Sequence, residues 1–442
     1  MPINYGSNDV STTGIVDVDN LRLDGNTLSA TNTNGNIIVQ SNGTGALQRD
    51  SGGNARGQYA VDLQNVRSSS TMVAAGKYSV VGGGNNNTAS NLYSTVSGGR
   101  GNNASGIYST VSGGSSNNAS SERSTVGGGL NNNASSYYST VGGGIYNNAS
   151  GPSSTVGGGL SNNASSSYST VGGGRSNTAS SIYSTVSGGG NNRATGSYST
   201  VGGGGGGFQF DGNTASGNRS TVSGGMSNDA SGSYSTVSGG NSNDASGSYS
   251  TVSGGTNNNA SGSDSTVSGG RINNASGQYA TVVGGIDGVA SLYGEEARSS
   301  GKFNTSGDAQ IRNFILRNKT SNNHIINLFL NGSSQEIVVP ENSTWVYTIK
   351  IVGRSSSDTE SAGYKIEGVM ESSPLGTLLL SESKTVLAED NANWDVDVSI
   401  DETGASPIFR ITTTVESDQN DVSWVAYVEV VQVIVTASTP SY

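Results

Sequence analysis

The sequence repeats every 15 residues between Tyr78 and about Tyr293, and this repeat constrains the fold more than any other feature. Each copy follows the pattern Tyr-Ser-Thr-Val-Ser/Gly-Gly-Gly-x-x-Asn-x-Ala-Ser-Gly/Ser-x, and fourteen copies occur. A unit this short cannot bury a hydrophobic face by itself, so successive copies must stack and supply each other's core. The repeat therefore predicts a solenoid.

The residue types within each copy favour β-strands over a helix. Gly-Gly pairs and the β-branched Thr-Val step penalise a helix in every copy. We expect two short strands per copy, one around Ser-Thr-Val and one around Asn-x-Ala-Ser, joined by glycine-rich turns. Alternation along the first strand places Val96 and Ser94 inside the coil, and Thr95 and Tyr93 outside it.

The composition limits how much core one chain can build. Only 31% of the residues are hydrophobic and 12% are charged, both below the usual share of a globular chain. An interior of valine, alanine and serine is thin for so long a rod, so further burial between chains on a common axis is favourable. We expect an elongated homotrimer.

The regions that flank the repeats differ from them in pattern. Residues 1–71 contain short polar β-segments separated by turns, and we expect an attachment segment there. Residues 72–307 form the predicted rod. In residues 308–442, apolar runs such as Ile311 to Leu316 and Val422 to Val435 predict an antiparallel β-sandwich or jelly-roll-like domain that caps the rod. The expected fold class is all-β.

Charge and terminal sequence narrow the range of partners. The formal net charge of −11 argues against nucleic acid or an anionic membrane as the binding partner, because both attract basic surfaces. The segment Met1 to Tyr5 has neither the basic nor the apolar part of a signal peptide, and no run of 18 apolar residues occurs. We therefore expect no membrane insertion.

Several segments resemble known families. The Ser-Thr-Val-Ser-Gly-Gly copies with their Ala-Ser-Gly partners resemble the head repeats of trimeric autotransporter adhesins, although the copies here have 15 residues rather than 14. Tyr293 to Gly301, Gly307 to Gln310 and Trp424 to Ala426 resemble the distal domain of phage tail fibres. The stretch Val18 to Asn26 is similar to segments of phage structural proteins, those of cyanophages included.

The phage resemblance implies a tail fibre or tailspike located on the virion as a tail appendage. Its N-terminus would bind phage tail or baseplate proteins, and the protein would attach to a glycan or protein on the host surface. Two alternatives stay open. One is a cell-surface adhesin of the trimeric autotransporter type, and the other is a tailspike that depolymerises glycan.

Residues with catalytic or metal-binding chemistry are sparse. Asp229 and Asp244 replace asparagine at one repeat position, but no pair stands out as the two carboxylates of a glycosidase. His324 is the only histidine, so a His-rich metal site cannot be assembled within one chain. We expect a non-enzymatic protein with no cofactor and no metal.

Two departures from the repeat are candidate contact sites. The interval from Val201 to Val222 is 21 residues, six more than the repeat, and it contains Phe208, Phe210 and Asp211. Insertions in solenoids often mark the binding face, so these three residues are candidate receptor contacts; a hydrophobic plug or a contact with a neighbouring fibre is the alternative.

The tyrosine position varies in a way that indicates exposure. Tyrosine occupies it in ten of the fourteen copies, and Arg123, Ser153, Arg219 and Asp264 replace it in the others. A stacked row of exposed tyrosines is either a ladder that stiffens the rod, which we favour, or a sugar-binding surface.

Overall fold

The computed structural model describes residues 43–206, 211–320, 324–356, 359–415 and 421–435. These residues contain β-strands and no helix, so no helix among them is suited to spanning a membrane. A parallel β-solenoid is followed by antiparallel sheets, which confirms the predicted fold class. Most of the expected attachment segment, residues 1–42, lies outside the described residues.

Two parallel ladders form the solenoid, and each regular coil contributes one short strand to each ladder. The valine ladder has seventeen strands in the described residues: Leu47–Gln48, Val61–Asp62, Val80–Val81, Thr95–Val96, Thr110–Val111, Thr125–Val126, Thr140–Val141, Thr155–Val156, Thr170–Val171, Thr185–Val186, Thr200–Val201, Thr221–Val222, Thr236–Val237, Thr251–Val252, Thr266–Val267, Thr281–Ile286 and Glu296–Ser300. The alanine ladder has fourteen there: Thr88–Ala89, Asn103–Ala104, Asn118–Ala119, Asn133–Ala134, Asn148–Ala149, Asn163–Ala164, Thr178–Ala179, Arg193–Ala194, Thr214–Ala215, Asp229–Ala230, Asp244–Ala245, Asn259–Ala260, Asn274–Ala275 and Val289–Ala290.

The strand register confirms the 15-residue coil. Thr95 pairs with Thr110, and the same offset recurs along the valine ladder. Across the long interval Thr200 pairs with Thr221, so the six extra residues leave the ladder without shifting its register. The pairing of Leu47 with Val61 shows that parallel coils begin upstream of residue 72. At the usual strand spacing, the valine ladder is about 75–80 Å long.

The interior of the coil contains small side chains, as the alternation predicts. Val96, Ser94 and Ala104 are fully buried, whereas Thr95 is half-buried and Tyr93 is exposed. The buried hydroxyl of Ser94 donates a hydrogen bond to the carbonyl of Asn91 at 2.6 Å. Burial of this polar group is therefore compensated.

A column of buried asparagines also runs along the interior, and sequence reasoning missed it. Its members are Asn87, Asn102, Asn117, Asn132, Asn147, Asn162, Asn177, Asn192, Asn213, Asn228, Asn243, Asn258 and Asn273. The Nδ2 of Asn147 donates to the carbonyls of Gly143 at 2.8 Å and Gly159 at 2.9 Å. Its Oδ1 accepts the N–H of Asn162 at 3.0 Å. Each of these asparagines thus joins a turn of its own coil to the next coil.

The glycine turns are needed because the asparagine column brings adjacent coils so close. Gly144 has a φ of +88°, and a Cβ there would lie 2.2 Å from the carbonyl oxygen of Gly159 and 2.6 Å from the Nδ2 of Asn147. A Cβ on Gly143 would meet nothing within 4 Å. Gly144 is therefore fixed by packing, whereas Gly143 has room for a side chain.

The C-terminal region has two antiparallel sheets. The larger sheet contains, in spatial order, Ala309–Thr320, Val422–Ile434, Ser343–Ser355, Ser361–Ser373 and Gly376–Glu389. The smaller sheet is built around Ile408–Val415, which pairs with Ile325–Asn327 and Ile337–Val338 along one edge and with Trp394–Asp401 along the other.

Aromatic side chains from both sheets form a common core. Trp394 of the smaller sheet and Trp424 of the larger one are buried, with ring centroids 5.6 Å apart. Tyr347 and Phe409 make a similar contact at 5.0 Å. The two sheets therefore pack face to face as a sandwich.

A buried ion pair joins the last coil to the larger sheet. The Nε of Arg312 donates to Glu295 at 2.6 Å, and another guanidinium nitrogen donates to Gln432 at 3.0 Å. The guanidinium also lies 5.0 Å from the ring centre of Phe314 and 5.5 Å from that of Trp345. Because both charges are buried and hydrogen-bonded, loss of either partner would leave an uncompensated charge at this junction.

Candidate functional site

An exposed column of tyrosines follows one corner of the coils, and we call it the tyrosine edge. Its members are Tyr59, Tyr78, Tyr93, Tyr108, Tyr138, Tyr168, Tyr183, Tyr198, Tyr234, Tyr249 and Tyr279, all more than a third exposed. Every one has a φ between +55° and +60°, as do the residues that replace tyrosine at Arg123, Ser153, Arg219 and Asp264. The exposure that these replacements predicted is confirmed.

Neighbouring rings of the tyrosine edge stack on each other. The centroids of Tyr78 and Tyr93 are 5.1 Å apart with an interplanar angle of 5°, and those of Tyr168 and Tyr183 are 4.7 Å apart, also at 5°. Stacking covers both faces of a ring inside such a run. A continuous run therefore presents ring edges and hydroxyls to solvent, which supports its role as a stiffening ladder.

Two arginines continue the stack where a tyrosine is missing. The Cζ of Arg123 lies 5.6 Å from the ring centre of Tyr108 and 5.1 Å from that of Tyr138. The Cζ of Arg219 lies 5.4 Å from Tyr198 and 5.2 Å from Tyr234. A guanidinium thus occupies the interval between two tyrosines that are two coils apart, where it also donates to the hydroxyl of Tyr138 or Tyr234.

A second column lies on the outer face of the alanine ladder. From Asn103 to Asn163, each side-chain Nδ2 donates to the Oδ1 of the asparagine in the next coil, at 2.9–3.0 Å. This row of amides ends before Thr178, and the next positions are Arg193, Thr214, Asp229 and Asp244. The side chains of this outer column therefore change from a row of amides to a set that includes charged groups beside the six-residue insertion.

Asp229 and Asp244 lie directly opposite each other on adjacent strands. Both side chains are half-buried, and the Oδ1 of each has no hydrogen-bond partner in the part of the chain that the structure describes. Burial raises the pKa of Asp229, and the charge of Asp244 raises it further. Burial also raises the pKa of Asp244. We call these two residues the aspartate pair.

The insertion lies next to the aspartate pair in the chain. Asp211 is half-buried, and its carbonyl accepts the N–H of Ser227, two residues before Asp229, at 3.2 Å. Phe208 and Phe210, the other two candidate receptor contacts, lie outside the described residues. The three-residue contact site remains a prediction, but its aspartate is tied to the coil that carries Asp229.

The aspartate pair was present in the sequence but was not recognised as a site. The signal that identifies it is the 15-residue offset between two acids at a position that carries asparagine, threonine, arginine or valine in the other coils. In a parallel ladder this offset brings the two carboxylates into register, about 4.7–4.9 Å apart at the backbone.

No protein-family model and no curated protein matches this chain. Among solved structures, it is similar to a tailspike protein, gp49, from Acinetobacter baumannii bacteriophage Fri1, a capsular polysaccharide depolymerase, with 9% identity, 84% of this chain and 69% of that chain covered, and a TM-score of 0.22. It is also similar to tailspikes of Acinetobacter baumannii phage AM24 (8% identity, 81% and 64% covered, TM-score 0.19) and of Acinetobacter phage vB_ApiP_P1 (6% identity, 89% and 79% covered, TM-score 0.25).

These structures agree with the predicted resemblance to phage tailspikes, since all three are tailspikes. The prediction of a non-enzymatic protein is corrected, because one of the three is a polysaccharide depolymerase. That prediction relied on finding no carboxylate pair, whereas the strand register places Asp229 opposite Asp244. At these identities and TM-scores, the functional argument rests on the residues of this chain.

The raised pKa values of the aspartate pair predict a pH-dependent change in stability. An acidic group whose pKa is higher in the folded than in the unfolded state stabilises the fold at pH values below its unfolded pKa, near 3.8. That contribution is lost as the pH rises through the folded-state pKa. Replacing both residues by asparagine should therefore raise the melting temperature by about 2–4 °C at pH 7. The gain should be smaller at pH 3.

Melting curves by circular dichroism at both pH values check this expectation. Asp264→Asn, an exposed acid at the tyrosine edge, is the control and should change the melting temperature little at either pH. An equal gain at pH 3 and pH 7 for the double variant would contradict the assigned cause.

Proposed function

We propose that this chain forms the rod and cap of a phage tailspike or tail fibre that works as a homotrimer and attaches the virion to glycan on the host surface. Residues 1–71 would bind phage tail or baseplate proteins, residues 72–307 would act as a rigid spacer, and residues 308–442 would close the trimer. The observation that carries this proposal is an exposed apolar face on the larger C-terminal sheet.

The exposed face consists of valines and isoleucines that are in register across three strands. Ile311 pairs with Val431, and Val431 also pairs with Val346. These side chains are 41%, 50% and 54% exposed, although they point away from a well-packed core on the opposite face of the sheet. A contiguous apolar face of this kind marks an interaction surface.

The outer strand of the same sheet adds a second exposed apolar surface. The strand Gly376–Glu389 pairs with one neighbour, and nearly all of its residues are exposed on both faces. Leu378, Leu380 and Leu387 are each more than half exposed. A long apolar edge strand invites pairing with another chain unless it is covered.

A groove of about 950 Å³ extends the apolar face toward the rod. Val283, Phe303, Ile311 and Val431 are among the residues that line it. Phe303 is 71% exposed. The proposed occupant of the whole surface is a second copy of the chain, since copies around a shared axis cover identical surfaces in turn and close after a fixed number.

Glycan is the favoured host ligand because of what the rod presents to solvent. Its exposed surface carries tyrosine hydroxyls, asparagine amides and few charges, and these groups suit the hydroxyls of a neutral or weakly charged sugar. The net charge of −11 opposes binding to a polyanion such as nucleic acid.

A glycan-depolymerising tailspike is the second candidate, and the aspartate pair favours it. Retaining glycosidases hold two carboxyl groups about 5–5.5 Å apart, with the acid at a raised pKa. Pairing on adjacent strands brings the two residues about 4.7–4.9 Å apart at the backbone, and burial raises the pKa of both carboxyl groups. If the pair is catalytic, Asp229→Asn and Asp244→Asn should each reduce the release of new reducing ends from polysaccharide about 10²-fold or more while binding persists.

The apolar face gives a direct test of the trimer. Light scattering should give the full chain a mass about three times that of the 44.5 kDa monomer. Val431→Lys should reduce this mass toward that of one chain, because three lysines would be buried without partners. The matched control is Val338→Lys, which changes a 38% exposed valine on the other sheet of the sandwich and should leave the trimer intact.

A native mass of 44.5 kDa would contradict the proposal. A trimer that tolerates Val431→Lys as well as Val338→Lys would instead place the contacts between chains elsewhere.

A further inference from the structure

The tyrosine edge is interrupted at two coils that contain neither a ring nor a guanidinium. Ser153 stands between Tyr138 and Tyr168, and Asp264 stands between Tyr249 and Tyr279. Among the described residues, no ring contact joins the tyrosines across either interruption, whereas stacking joins direct neighbours such as Tyr168 and Tyr183. We call these two interruptions the gaps.

At each gap one flanking ring, Tyr168 or Tyr249, has a face open to solvent. Tyr249 is 58% exposed and Tyr168 is 52% exposed, the two highest values along the tyrosine edge, compared with 39% for Tyr78 inside an unbroken run. Both of these rings are stacked on the side away from their gap, so the exposed face is the one that points into it.

The width of a gap is set by the coil spacing. Two coils separate the flanking rings, which corresponds to about 9.5 Å. Arg123 and Arg219 fill intervals of the same kind, with 5.1–5.6 Å between the guanidinium carbon and each ring centre. One flat group of similar thickness therefore fits between the two faces of a gap.

Polar groups at the base of each gap indicate what kind of flat group it admits. Ser153 offers a half-buried hydroxyl, and Asp264 offers an exposed carboxylate. A pyranose ring combines polarised C–H groups on its faces, which are attracted to the negative face of an aromatic ring, with hydroxyls around its rim. The hydroxyl and the carboxylate are positioned to bind those rim hydroxyls.

We propose that the two gaps are the sugar-binding sites of the rod, each holding one pyranose ring of a host-surface polysaccharide between two tyrosine faces. This inference rests on the proposed glycan attachment and adds the residues that carry it. The gaps lie on one edge of the rod, seven coils apart, or about 34 Å. A polysaccharide long enough to span this distance engages both gaps at once, so the two weak contacts act together.

Filling the gaps tests the proposal without disturbing the fold. Ser153→Tyr and Asp264→Tyr restore the residue that most coils carry at this position, so the double variant should fold at least as stably as the parent. Binding is measured by interferometry of the full chain on an array of purified bacterial capsular polysaccharides and O-chains. The double variant should bind about 10²-fold more weakly or worse.

Opening a new gap gives the reverse control. Tyr93→Ser creates a third gap, between Tyr78 and Tyr108, and should keep or increase the affinity of the parent. Filling the gaps should therefore weaken binding whereas opening one should not, a difference that a general effect on rod stability would not produce.

Three results would overturn the proposal, and they are distinguishable. Binding that survives in the double variant rejects the gaps but leaves glycan attachment standing. Absence of binding by the parent to every polysaccharide rejects both. Capture of a hexa-arginine peptide by the parent, lost in the double variant and without any polysaccharide binding, shows that the gaps hold guanidinium groups rather than sugars.

Discussion

The buried asparagine column is the interaction on which the solenoid depends. A coil of 15 residues with an interior of valine, alanine and serine buries little apolar surface, and its glycine turns present carbonyl groups to the inside. Each asparagine side chain satisfies carbonyls of its own coil and of the next coil, and accepts a backbone N–H in return. Because a buried polar group without a partner is costly, these bonds fix both the turn and the distance between coils.

This arrangement leaves the outside of the coil free to vary. Inside, adjacent coils lie so close that a Cβ added to Gly144 would come within 2.2 Å of the carbonyl oxygen of Gly159. Outside, tyrosine is replaced by arginine, serine or aspartate, and the amide row gives way to Arg193, Asp229 and Asp244. The rod is thus a uniform scaffold, and departures from its outer pattern are the places where chemistry is added. The aspartate pair, the insertion and the gaps are all departures of this kind.

Much of the rod could be predicted from the sequence, because a strict period leaves few alternatives. The coil length, both strands and the burial of Val96 and Ser94 followed from the repeat and from alternation. The asparagine column did not, since asparagine beside glycine is also typical of a surface turn, and only the stacked coils reveal its buried partners. The aspartate pair was dismissed because two acids 15 residues apart become neighbours only through strand register. The exposed apolar face was equally hidden, since alternation alone does not show which face of a sheet is covered.

The most direct test of this account compares two adjacent asparagines. Asn147 is buried in the column, whereas Asn148 is half-buried in the outer row, where its Nδ2 bonds to Asn163 at 2.9 Å. Equilibrium unfolding of Asn147→Ala in guanidinium, at matched protein concentration, should show a loss of about 2–4 kcal/mol, since buried backbone groups lose their partners. Asn148→Ala should cost less than about 1 kcal/mol, because water can replace its bonds. Equal losses for the two variants would contradict the account, since the column would then contribute no more than an exposed ladder.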